Sequence, residues 1–65
     1  MSVHTDTIAA VDDHWRTARV IHDRVNVWAL NSIKGALTNM TELGLIEMQK
    51  AKGNVNEYRM ARKPE

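Results

Sequence analysis

Six residues at helical spacing, Asn31, Ser32, Lys34, Gly35, Thr38 and Asn39, bring side-chain amides, hydroxyls and one cation onto a common arc. Projected at 100° per residue from Asn31, they and Glu42 lie opposite Ala29, Leu30, Ile33, Ala36, Leu37 and Met40, which fall between about 140° and 260°. The polar set is small, mostly uncharged and able to donate and accept hydrogen bonds. An ordinary solvated helix face has the same polarity, so the pattern leaves a ligand-reading surface and a plain one both open. Gly35 slightly favours the former. A mid-helix glycine costs about 1 kcal/mol relative to alanine, and close approach of a partner explains its place near the centre of the arc, as neutral drift also does. A second set, Lys50, Lys52, Asn54 and Arg59, with Arg62 and Lys63 beyond, surrounds a Gly53-Asn54 turn signal. Its cations suit phosphate, with Glu47 competing for Arg59.

Other chemistries find no constellation. His14 and His22 are eight apart without a third ligand at helical spacing, and His4 lies near the start of the chain, so no metal site is expected. Asp12 and Asp13 are adjacent, about 100° apart on a helix, and cannot converge as an acid/base pair. There is no nucleophile–base pair or phosphate-cradling glycine loop. The expectation is a protein that is not an enzyme and needs no cofactor.

Composition narrows the class further. Sixty-five residues make one domain, with a core at about 8–62, near the lower limit for an unassisted hydrophobic core. Cysteine is absent, which excludes disulfides and thiolate metal sites as support. The only aromatics are Trp15, Trp28 and Tyr58, so aliphatic residues and methionine must carry the core. Trp15 reads as core, and Trp28 as either core or contact. No apolar run approaches the roughly 18 residues of a membrane span, and Met1-Ser2-Val3-His4 does not open a signal peptide. A cytoplasmic location and no membrane partner are expected. The formal net charge of +1 is unevenly spread: acids prevail over residues 1–28 and bases over 44–65. That asymmetry permits nucleic-acid binding without requiring it.

Positioning these groups takes three helices and a hairpin. Residues 5–14 form a first helix capped by Thr5 or Asp6, with Ile8, Val11 and Trp15 facing inward. Thr17 caps a second helix, Ala18 to Val25, that buries Ala18, Ile21 and Val25, and Asn26 turns the chain. One long helix from Thr5 to Val25, folded back as a helical hairpin, is the competing arrangement. The third helix carries the polar arc and stops at Gly44. For the hairpin, placing Ile46, Met48, Tyr58 and Met60 on the buried face pairs Ile46 with Met60, Met48 with Tyr58 and Glu47 with Arg59. A three-residue loop, Lys52-Gly53-Asn54, remains, where Gly or Asn takes the positive φ, and the second strand ends near Arg62. Trp15-Arg16-Thr17 offers a short third strand.

The succession Thr17 to Val25, Ile33-Lys34-Gly35-Ala36-Leu37-Thr38-Asn39-Met40, Glu42-Leu43-Gly44-Leu45-Ile46-Glu47 and the Lys50–Arg59 hairpin resembles the winged helix-turn-helix DNA-binding superfamily. The likeness is to small bacterial and phage regulators and the MarR-like core, and it covers roughly residues 8–62. It implies an α+β fold, three helices followed by a two-stranded antiparallel wing. It also implies sequence-specific binding of duplex DNA for transcription regulation, with the third helix in the major groove. Asn31, Ser32, Lys34, Gly35, Thr38 and Asn39 would then meet base edges, and Lys50, Lys52, Asn54 and Arg59 would meet phosphates. So few cations suggest a weak homodimer formed on DNA through the first helix, Trp15 or Trp28. The alternative is a winged-helix adaptor whose same face binds a protein partner or inhibits a host factor.

Overall fold

The computed structural model describes residues 2–61, and Arg62 and Lys63 lie outside them. Its elements run α1 (Val3–Ala10), β1 (Arg16–Thr17), α2 (Ala18–Val25), α3 (Leu30–Glu42), β2 (Ile46–Lys50) and β3 (Asn56–Met60), with a 3₁₀ turn at Lys52–Asn54 between the last two strands. Three helices and a three-stranded antiparallel sheet of order β1-β3-β2 make an α+β, winged-helix-like layout. The short β1 between α1 and α2 rules out one continuous helix from Thr5 to Val25.

The first helix lies earlier than its hydrophobic pattern suggests. Ser2 is the N-cap, its hydroxyl accepting from the Thr5 backbone N–H, and the helix ends at Ala10 rather than near His14. The residue of α1 that is fully buried is Thr7, while Ile8 is only partly covered. Val11, already in extended backbone, adds its side chain to the core. Trp15 lies on no helix.

Thr17 caps α2 by accepting from Val20 N–H, and Asn26 closes it at φ 59°, the left-handed region that asparagine tolerates. Ile21 is fully buried, and Ala18 and Val25 pack partly against it. Ile33, Ala36, Leu37 and Met40 form the inward stripe of α3. Ala29, expected on that stripe, is instead the exposed N-cap, without a side-chain cap bond, and Leu30 is half-buried. The far end of α3 closes with Gly44 at φ 78°: Gly44 N–H donates to Thr41 O and Leu45 N–H to Met40 O. These two bonds define a Schellman stop, and only glycine takes that conformation without a Cβ clash.

The hairpin pairs Ile46 with Met60, Glu47 with Arg59 and Met48 with Tyr58, the register that the face parity requires. Gly53 and Asn54 both take positive φ at the tip, 79° and 63°. Ile46 and Tyr58 are buried and Met60 partly so, but Met48 is 43% exposed. It sits on the edge strand, where the sheet has run past the helices that cover its neighbours. The strand expected to reach Arg62 ends at Met60. Arg16 pairs with Tyr58 and Thr17 with Glu57, so the third strand forms and makes β3 central.

Candidate nucleic-acid interface

The outward face of α3 divides into two flanks. Lys34 and Thr38, with Leu30, turn toward the sheet and line an open cleft of about 480 Å³. Its other walls are Thr17, Ala18 and Arg19 at the start of α2, and Asn54, Val55, Asn56 and Tyr58 from the hairpin. No carboxylate among the described residues lines it. Asn39 turns the other way, toward α1, where its Nδ2 donates to His4 Nε2 at 3.1 Å. Asn31, Ser32 and Gly35 are exposed on the same face. A Cβ built on Gly35 meets nothing within 4 Å, so no packing inside the chain requires glycine there.

The basic side chains sort into two groups. Asp12 takes Arg16 Nε at 3.3 Å and Arg24 Nη1 at 3.2 Å, and Arg24 also donates to Ala10 O at 2.9 Å. The backbone N–H of His14 donates to the same carboxylate. This N–H is the main reason the Asp12 carboxyl sits below the ordinary carboxylate range; partial burial opposes it, and Arg24 and Arg16 reinforce it. Arg59 Nε donates to Glu47 Oε1 at 2.7 Å, and its guanidinium lies 4.3 Å over the Trp15 ring. These three arginines hold elements together.

Arg19, Lys34, Lys50 and Lys52 have no carboxylate within ion-pair distance among the described residues. Two of them, Arg19 and Lys34, share the cleft, and Lys52 and Asn54 belong to the wing tip. Lys50 is exposed at the end of β2. A cation held by no internal carboxylate keeps its full attraction for an outside anion.

Most of the expected site residues therefore gather around one surface: Asn31, Ser32, Lys34, Gly35 and Thr38 on α3, and Lys52 and Asn54 on the wing. Arg59 does not join them. Alternation along β3 puts it on the opposite side of the sheet from Tyr58, which faces the cleft. Trp28 also has another task. Its Nε1–H donates to Asp6 Oδ2 at 2.6 Å and its ring packs against the core, tying α1 to the α2–α3 turn. Arg19, Thr17 and Asn56 are the groups that sequence reading missed. The sequence carried no clear signal for Arg19, because Asp23 stands four residues on as a ready helical partner and only the structure shows that the two form no ion pair.

Among the described residues no helix is long and apolar enough to cross a membrane. No protein-family model matches this sequence, and no curated protein is significantly similar to it.

Proposed function

We propose that this chain binds duplex DNA sequence-specifically and acts as a cytoplasmic transcriptional regulator, with α3 in the major groove and the wing on phosphates. The observation that carries the reading is the acid-free cleft joining α3 to the wing, flanked by cations without internal partners. Thr38 and Lys34 on one wall and Asn54 on the other address a ligand that must span helix and hairpin. A duplex does so by offering base edges to the helix and phosphates to the wing. The role is one of binding, without chemistry of its own.

The test is binding to random-sequence duplexes across a salt titration. Four unpaired cations engaging phosphates give a slope of log K against log salt of about −3.6. Enriched sequences with that slope support the reading; binding with no sequence enrichment, or none at all, refutes it. A second reading, a protein-binding adaptor or inhibitor, draws on Leu43 and Leu45, 66% and 46% exposed on either side of Gly44. Salt-insensitive binding to a protein partner, lost on Leu43→Ser with Leu45→Ser, is its signature.

A further inference from the structure

The hydrogen bonds inside α3 fix the polarity of what its outward face can read. The Thr38 hydroxyl donates to Lys34 O at 3.0 Å, so its hydrogen is occupied and only its lone pairs face outward. Asn39 uses an Nδ2 hydrogen on His4 Nε2, and its Oδ1 has no protein donor among the described residues. The second Nδ2 hydrogen of Asn39 is not used in this contact, so this amide can both donate and accept outward. Glu42, on the same arc one turn on, presents a carboxylate with no ion-pair partner among the described residues. Thr38 and Glu42 thus present only acceptors outward, whereas Lys34, in the N-terminal half, is a donor.

The geometry points to a division of labour along α3. Thr38 takes a hydrogen bond from an exocyclic amino group of a base, adenine N6 or cytosine N4, and Lys34 supplies the donor for guanine or phosphate. In the major groove those amino groups are the only strong base donors, while guanine O6 and N7 and thymine O4 all accept. An acceptor facing an acceptor leaves both unpaired in a desolvated interface, so a keto edge is rejected opposite Thr38. Glu42 strengthens the same bias and repels a phosphate from that end of the helix.

This inference rests on the DNA-binding reading, and the experiment keeps the two separable. Duplexes enriched by the full chain are mapped with Thr38→Val to find the base pairs where preference flattens. Thr38 is exposed on α3, so the fold survives the change. At those pairs adenine is replaced by purine, or cytosine by 2-pyrimidinone, which deletes the amino group alone. Wild-type affinity should fall by about 5- to 150-fold, whereas the variant lacking the acceptor should bind both duplexes equally. Unchanged wild-type affinity for the amino-deleted duplexes overturns this inference and leaves DNA binding standing. Failure to bind any duplex overturns both.

Discussion

Thr7 is an anomaly in an otherwise apolar core: it is fully buried, and its hydroxyl has no hydrogen-bond partner. A buried unsatisfied donor costs about 1–3 kcal/mol, and valine has nearly the same shape without it. Thr7→Val should therefore stabilise the fold by about 1 kcal/mol, read as a higher denaturant midpoint at unchanged slope. An unchanged or lower midpoint would mean the hydroxyl is satisfied. Gly35 makes the opposite kind of site. Its Cβ would enter open space, so Gly35→Ala should add about 1 kcal/mol to helix stability. If duplex DNA lies against that point, the same change weakens binding. A more stable variant with undiminished affinity would remove Gly35 from the interface.

Asp12 sets an acid limit. Its folded carboxyl titrates below the ordinary range, chiefly through the His14 N–H and then through Arg24 and Arg16. A lowered folded value means the contribution is complete above the unfolded value, about 3.9. It is lost as pH falls below that and through the folded value. Asp12→Asn should flatten this part of the pH–stability curve, most visibly between pH 5 and the acid limb, on the order of one carboxylate's proton uptake. An unaltered acid limb in the variant would show that other carboxylates govern acid unfolding.

At the level of elements, the cations make contrasting predictions. Lys52→Ala should weaken binding to all duplexes about equally and flatten the salt slope by about one unit. Arg59→Ala should leave that slope alone and lower stability by about 1 kcal/mol, since it removes an ion pair and a cation–π contact. Paired salt titrations and melts decide it, and a slope change in Arg59→Ala would return that residue to the interface. The elements also differ in how plainly they could be read beforehand. The hairpin register was legible because one buried face admits only one parity, and Tyr58 and Ile46 mark it. Helix α3 was legible because thirteen residues carry a sustained period and end on a glycine. Helix α1 was not, since its buried residue is a threonine and its cap is Ser2, so hydrophobic spacing points too far along the chain. Met48 failed for a related reason: parity says which way a side chain points but not whether anything lies there. The α3 half of the site was visible for its composition, but Arg19 depends on α2 approaching the wing, a contact that no local pattern announces.

The described residues together measure 34 × 29 × 18 Å. Operator half-sites one DNA turn apart are separated by about 34–36 Å, so two copies with their long axes along the duplex would just meet. One copy offers few phosphate contacts for the ~10⁻⁸ M affinity typical of specific complexes. Trp28 is committed to Asp6 and the core, which leaves the first helix or the half-buried Trp15 for a contact between copies. We expect a monomer at micromolar concentration that pairs on a pseudo-palindromic duplex. Analytical ultracentrifugation should give two proteins per two-site duplex; one per duplex at saturation would exclude pairing.

The central position of β3 has a consequence in time. Among the described residues strand β1 pairs with β3 alone, and Asp12 O accepts from Met60 N–H, 48 residues on. Such distant closures come late, because chain entropy must be lost before they are formed. A chain emerging from the ribosome can assemble its three helices while β1 and β2 wait unpaired for one five-residue segment. In a pulling experiment on the C-terminal end, removing that segment would release both neighbours together, so the sheet should rupture in one step and not strand by strand.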